Sequence, residues 1–152
     1  MAAVEASLQR HHGCVVTPGE VEGLHGTMNG GTTILVIEDD SDARVTLCEI
    51  LTDEGYECVE ASDGRDAMQK LVGMGRRPSV ILLDLMMPGM NGWQFREWQR
   101  QSPDFATIPV VVLSAATDAA HEARRLEAAD FIAKPIHLDR LLDTVRRYCP
   151  AA

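Results

Sequence analysis

Val80-Ile81-Leu82-Leu83-Asp84 is four apolar residues closed by an acid, and variants of that arrangement recur along the chain. Ile34-Leu35-Val36-Ile37 runs into Glu38-Asp39-Asp40, and Val110-Val111-Val112-Leu113 runs into Ser114. A fourth run, Asp130-Phe131-Ile132-Ala133, ends in Lys134-Pro135. Three of these runs are apolar at every position, the pattern of strands buried on both faces rather than one. Each closes on an acid, a hydroxyl or an ammonium, so the runs point to one site assembled from four strand ends.

Helical patterns fill the spaces between. After the strand at 33–37 comes a helix over about 41–54, with Ser41 as N-cap, an inward stripe of Ala43, Leu47, Ile50 and Leu51, and Gly55 as its stop. A weaker strand at 57–61 and Asp63-Gly64 precede a helix carrying Ala67, Met68, Leu71 and Val72. Pro78 precedes the strand at 80–83. Pro88-Gly89 and Asn91-Gly92 mark a long turn before a helix with Trp93, Phe95 and Trp98. Ile108-Pro109 opens the strand at 110–113, a short helix spans about 119–126, and the strand at 130–133 follows. The last helix, about 138–148, aligns Leu138, Leu141, Leu142 and Val145 on one face. Five repeats of strand then helix predict an α/β domain, a five-stranded parallel sheet with helices on both faces. Right-handed crossovers put all the strand C-termini on one edge, where open α/β sheets bind ligands.

The bulk numbers agree. With 152 residues and 45% hydrophobic residues the chain suits one domain with an ordinary core. A net charge of −9 repels a phosphate backbone, and the basic pairs (Arg76-Arg77, Arg124-Arg125, Arg146-Arg147) are short, so nucleic-acid binding is not expected. No apolar run approaches a membrane span, and residues 1–31 lack the core of a signal peptide, so a soluble cytoplasmic protein is expected. Residues 1–31 hold six of the twelve glycines and no sustained period, which reads as a flexible leader, and Met28 is an alternative start. The domain proper is expected over 32–149, with no output domain. Cys14, Cys48, Cys58 and Cys149 form no CxxC pair and read as reduced thiols rather than a disulfide frame. His11-His12-Gly13-Cys14 reads as a polar stretch rather than a metal cluster.

The strand ends carry the chemistry. Two carboxylates about 4 Å apart repel by roughly 4 kcal/mol at an effective dielectric near 20. A fold tolerates Glu38, Asp39, Asp40 and Asp84 together if a hard divalent cation neutralises them or one stays protonated. Few carboxylates with open positions suit Mg²⁺, which takes its remaining ligands from water and a phosphate-bearing substrate. An aspartate beside such a cation can attack phosphorus and form an aspartyl phosphate. Lys134 supplies a point charge for phosphoryl oxygens, and Ser114 a hydrogen bond. The chain has twelve arginines and two lysines, the other being Lys70, so a lysine before a proline suggests a need for a compact ammonium. Acids that close a strand also serve as plain helix N-caps, and Asp40 or Asp42 fits that reading too.

Four blocks together resemble the receiver domains of two-component response regulators. They are Ile34 to Asp40, Leu82 to Gly92 (LLDLMMPGMNG), Val111 to Ala115 (VVLSA) and Phe131 to Pro135 (FIAKP). The resemblance runs from Thr32 to about Tyr148 and implies a flavodoxin-like strand order of 2-1-3-4-5. It makes Asp84 the phosphoacceptor, with Mg²⁺ held by Glu38, Asp39, Asp84 and the Met86 carbonyl. Ser114 becomes the switch hydroxyl, Phe131 the switch aromatic and Lys134 the phosphate-contacting lysine, with a cis peptide before Pro135. The implied donor is a histidine kinase or phosphotransfer protein. The implied output is an unknown protein target, not nucleic acid or membrane, met by a surface around 121–126, Phe131 and 138–147.

The chain departs from the family pattern in three places. A third acid follows Glu38-Asp39, so the pair could instead be Asp39-Asp40; Ile37 as last strand residue and Arg44 in the first helix favour Glu38-Asp39. The stretch from Ser114 to Lys134 is short and lacks a glycine before the last strand. Met86 and Ala116 bring no polar group to position an attacking water, which implies slow self-hydrolysis. A degenerate receiver, acting as an interaction module without phosphate, is the alternative. An aspartate-nucleophile phosphatase would need a second Asp where Met86 stands. A flavodoxin-like cofactor binder would need a Ser/Thr/Gly-rich loop where Glu38-Asp39-Asp40 stands.

Overall fold

A computed structural model of the chain describes residues 32–115 and 119–149. The leader, with His11, His12, Cys14 and Met28, and Ala116 lie outside the described residues. The elements are β1 (Thr33–Ile37), α1 (Ser41–Asp53), β2 (Glu57–Ala61), α2 (Gly64–Gly73), β3 (Val80–Asp84), α3 (Gly92–Arg100), β4 (Val110–Ser114), α4 (Ala119–Arg125), β5 (Asp130–Ala133) and α5 (Leu138–Tyr148). The strands form one parallel sheet in the order β2-β1-β3-β4-β5. The chain therefore leaves β1 toward one side for β2 and returns to the other side for β3, which places the topological switch point between β1 and β3.

The register levels the strand ends. Ile37 pairs with Leu83, Asp84 with Leu113 and Ser114 with Ala133, so Glu38, Asp84, Ser114 and Lys134 emerge on one edge. Alternate residues of each central strand feed two cores. Ile34, Val36, Leu82, Leu113 and Ile132 pack with α1 and α5, while Leu35, Ile37, Leu83, Val112 and Leu126 pack with Phe95 of α3 and Leu71 of α2. Burying such a side chain contributes roughly 1.5–3 kcal/mol, so β1 and β3, buried at every position, fix the frame on which the edge is built.

Three local expectations need correction. Asp40, not Ser41, caps α1: its carboxylate accepts from the Asp42 and Ala43 amides, and Ser41 is already helical. Carboxylate and hydroxyl both make good caps, and the tight exit from β1 brings the acid to the amides first. Of the four apolar residues that α2 carries, Ala67 and Leu71 are buried and Met68 packs against the same core, but Val72 is 71% exposed, on the helix's outer side. The reduced-thiol reading fails for two cysteines: Cys48 of α1 and Cys58 of β2 form a disulfide, with Cα atoms 5.4 Å apart. Both lie on the α1 and α5 side of the sheet, where α1 crosses β2. Cys149 is free and buried, and burial pushes its thiol up to about 11, away from reactivity. Among the described residues no helix is long and apolar enough to cross a membrane.

Candidate functional site

The acidic edge begins where β1 ends. Glu38 is the first residue past the strand and only 2% exposed, Asp39 is exposed, and Asp40 turns away to cap α1. A carboxylate engaged with two helix amides does not face the edge, so of the three acids Glu38 and Asp39 are the two that stand beside Asp84. Arg44, one turn into α1, donates Nη1 to the Glu38 carbonyl at 2.8 Å and Nε to Glu60 at 3.1 Å, which holds the exit from β1 against β2.

Asp84 ends β3 beside it. One oxygen from each of Glu38, Asp39 and Asp84 lies within 4.8 Å of the others. Lys134 reaches in from β5, with Nζ 2.8 Å from Glu38 Oε1 and 3.5 Å from Asp84 Oδ1. The Met86 amide donates to Asp84 Oδ1 at 3.3 Å. Ser114 is buried at the end of β4, and the Lys134 amide donates to its carbonyl at 2.8 Å, so serine and lysine arrive as one unit. The Lys134-Pro135 peptide is cis, as the family resemblance implies.

Glycine shapes the loop after Asp84. A Cβ on Gly92 would lie 2.7 Å from the Asp84 carbonyl oxygen and 2.7 Å from Leu85 Cα, so only glycine lets α3 start directly beneath the acid. Gly64, at the start of α2, donates its amide to the Met90 carbonyl, and a Cβ there would meet the Met90 side chain at 2.6 Å. The sequence reading took Gly92 only as a turn marker. Its position as the first residue of a helix just past the acid was the available signal.

Burial and crowding set the protonation. Desolvation, then the hydrogen bond and negative charge of Glu38, push Asp84 up to about 8, against the pull of Lys134. Glu38 is desolvated too, but its hydrogen bonds with Asp84 and Lys134 and the lysine charge outweigh that and hold it below its usual value. Desolvation lowers the Lys134 ammonium pKa, and the two carboxylates more than reverse it. Of this carboxyl pair Asp84, not Glu38, is thus the one that keeps a proton when no other cation is present.

Phe131 is partly buried on β5 against the core that holds Phe95 and Leu126, and the Arg140 guanidinium stands 5.8 Å from its ring centre. Of the side chains that the sequence placed at the site, Glu38, Asp39, Asp84, Ser114 and Lys134 stand at the C-terminal edge of the sheet, while Phe131 lies within β5.

A divalent cation suits this edge. Glu38 Oε2 is buried with no hydrogen-bond partner, and two neighbouring carboxylates face it with one lysine. Leaving such an oxygen unmatched costs more than a typical hydrogen bond contributes, and a hard cation with oxygen ligands satisfies it.

Comparison with known proteins agrees. The family model for the response regulator receiver domain matches residues 34–146. Sporulation initiation phosphotransferase F of Bacillus subtilis is 28% identical over 117 residues, covering 77% of this chain and 93% of that protein. The phosphate regulon transcriptional regulatory protein PhoB of Escherichia coli is 36% identical over 125 residues, covering 78% of this chain. The chain spans about half, 54%, of that longer relative. Among solved structures, chemotaxis response regulator CheY4 of Vibrio cholerae aligns with a TM-score of 0.71 and 29% identity, covering 78% of this chain and 98% of that one. The signal receiver domain of a histidine kinase from Syntrophus aciditrophicus aligns at 0.69 and 35% identity, covering 78% and 90%.

Proposed function

We propose that this chain, which belongs to the response regulator receiver domain family, accepts a phosphoryl group on Asp84 and signals through its own changed surface. The donor is the phosphohistidine of a histidine kinase or phosphotransfer protein, the setting is the cytoplasm, and the chain acts as a single-domain regulator rather than an enzyme. The observation that carries this reading is the meeting of Glu38, Asp84 and Lys134 around a buried carboxylate oxygen without a partner.

In the transfer, a carboxylate oxygen of Asp84 forms a bond to phosphorus as the phosphorus–nitrogen bond of the donor breaks. The bonding pair leaves with the imidazole, and the product is an acyl phosphate on Asp84. Asp84 must be ionised to attack, and Lys134, 3.5 Å from Oδ1, favours that form. Glu38, Asp39, Asp84 and the Met86 carbonyl would hold Mg²⁺, which when bound offsets the carboxylate charge and that of the phosphoryl oxygens. Lys134 is then placed to bond the phosphoryl group, exchanging its Glu38 contact for the new anion. Ser114, buried beside it, supplies the hydroxyl that turns toward the group. Phe131 moves with it, and α4, β5 and α5 carry the change to a protein target. Met86 presents an exposed thioether and no group that would hold a water for hydrolysis, so the phosphorylated state is long-lived.

Incubation with acetyl phosphate and Mg²⁺ tests this reading. Wild type takes up one phosphate with the acid-stable, base-labile character of an acyl phosphate. Ser114→Ala still takes it up, but hydrogen exchange in β5 and α5 responds far less than in wild type. An equal response in Ser114→Ala would remove the serine from the switch.

A further inference from the structure

Four side chains join α1 to β2 in two matched rungs. Arg44 and Cys48 stand one turn apart on α1, Cys58 and Glu60 two residues apart on β2, so each pair shares a face of its element. Cys48 is bonded to Cys58, and Arg44 Nε donates to Glu60 Oε1 at 3.1 Å. Because α1 runs back along the sheet while β2 runs forward, the disulfide is the rung farther from the acidic edge and the ion pair the nearer one. The nearer rung reaches the site. Arg44 Nη1 donates to the Glu38 carbonyl at 2.8 Å, and the Glu38 amide donates to the Ala61 carbonyl of β2 at 3.1 Å. The peptide groups on both sides of Glu38 are therefore held, one from α1 and the other from β2, and the disulfide is the covalent tie between those two elements.

The fold does not need that tie to close. Leu47, Ile50 and Leu51 of α1 lie in one core with Ile34, Val36 and Leu82, and free thiols are at home in such a core. Permanent disulfides belong to small secreted domains, whereas in the proposed cytoplasmic setting those that form are chiefly redox-sensing. The ion pair alone holds loosely, since the Glu60 side chain is 42% exposed and water competes for it. Cys58 is partly buried on β2, an edge strand of the sheet, so a thiol in solvent has an approach that buried Cys48 denies. Cys149 shares the core, but its buried thiol, pushed up to about 11, stays protonated and out of exchange.

We propose that the Cys48–Cys58 bond is a redox-operated brace on the acidic edge. Oxidised, it keeps Arg44 on Glu60 and the Glu38 carbonyl; reduced, it lets the exit from β1 loosen, and the edge holds a divalent cation less tightly. The reductant is a dithiol. Its thiolate attacks Cys58 Sγ, the sulfur–sulfur bond breaks, and Cys48 leaves as a thiolate that takes a proton. The second thiol of the reductant then displaces the Cys58 thiolate, which is protonated in turn. Two electrons and two protons pass to the protein, and the reductant becomes a cyclic disulfide. A small disulfide such as oxidised glutathione restores the brace by the reverse exchange, releasing two glutathione thiols. The effect on the cation rests on the reading of Glu38, Asp39 and Asp84 as its site, and the brace itself does not. Arg44, Cys48 and Cys58 are positioning residues, since none is among the carboxylates that would hold the ion.

Hydrogen exchange without divalent cations tests the brace on the full chain, oxidised with oxidised glutathione or reduced with dithiothreitol. Reduction should add two thiols per chain and speed exchange over 38–44 about fivefold or more, while the central strands at 80–84 and 110–114 stay within about twofold. Unchanged exchange over 38–44, an equal rise in the central strands, or no gain of thiols would overturn the brace. The double variant Cys48→Ala with Cys58→Ala should match the reduced form and ignore dithiothreitol. A response to dithiothreitol in that variant would assign the effect to another sulfur. Calorimetric titration with Mg²⁺ reads the output, and the reduced form should bind roughly threefold or more weakly. Oxidised Arg44→Gln should show the same weakening, and reducing it should add nothing, because the brace acts through that guanidinium. Equal affinity in oxidised and reduced wild type, or as large a further loss on reducing Arg44→Gln, contradicts the coupling. Failure of Mg²⁺ to bind either form contradicts the cation reading instead, and the exchange comparison decides the brace by itself.

Discussion

Glu38 and Arg96 are both charged side chains carried almost out of water, 2% and 8% exposed, in two regions that treat charge in opposite ways. At the sheet edge, Glu38 spends one oxygen on Lys134 and leaves the other buried without a partner, while its neighbour Asp84 is pushed toward its protonated form. In the seam between α3 and α4, Arg96 ends on three oxygens of its own chain, and Gln99 closes the network behind it. The seam is completed by folding. The edge is left incomplete by folding, and on the proposed reading a cation and a phosphoryl group complete it.

The sharpest way to break this comparison is to remove the cation that both carboxylates share. Lys134→Ala should slow labelling of Asp84 by acetyl phosphate on the order of 100-fold, the scale of losing one preorganised electrostatic contact. Lys134→Arg should recover little of it, because a planar fork cannot take the place of a compact ammonium. A labelling rate within a few-fold of wild type in Lys134→Ala would remove the lysine from the edge chemistry.

The seam should respond in the other currency, stability. Arg96→Met leaves the Leu126 and Glu127 carbonyls and the Gln99 side chain short of partners, a loss of about 2–4 kcal/mol in chemical denaturation. Its effect on the labelling rate should be slight. A variant as stable as wild type would show that the network contributes nothing net.

The pH dependence separates the regions next. Without divalent cations Asp84 keeps its proton up to about 8, above the unfolded value of 3.8. From roughly pH 4 upward the unfolded chain has released that proton and the native protein has not. Stability from this group therefore falls as pH rises and levels off above pH 8. Asp84→Asn should remove that slope, and Mg²⁺ should reduce it. A slope unchanged in Asp84→Asn would assign it to other groups.

The smallest effect is expected at Asp39, which is exposed. Asp39→Asn should raise the metal-free melting temperature by about 2 °C, the scale of a surface change of a few tenths of a kcal/mol. Only wild type should then gain clearly from Mg²⁺, because binding to the native state alone stabilises it. Equal Mg²⁺ shifts would show that Asp39 is not a ligand.

The edge was legible in the sequence because its strands are apolar at every position. In β1, β3 and β4 the first polar residue marks where the strand leaves the core, so Glu38, Asp84 and Ser114 announce themselves. Which of three consecutive acids caps α1 was not legible, since that depends on the angle at which the chain leaves β1. The seam was hidden for a different reason. Arg96 and Gln99 are polar, and side chains of that kind read as solvent-facing until the carbonyls that bury them are placed by the turn after α4. The Cys48–Cys58 bond is likewise set by how α1 crosses β2, a relation that a ten-residue spacing does not encode.

Peptide mapping after acetyl phosphate and Mg²⁺, with the acyl phosphate trapped by borohydride, addresses the central claim most directly. The account predicts a single modified residue, Asp84, in wild type and no trapped product in Asp84→Asn. Modification at another residue, or trapping that persists in Asp84→Asn, would contradict it.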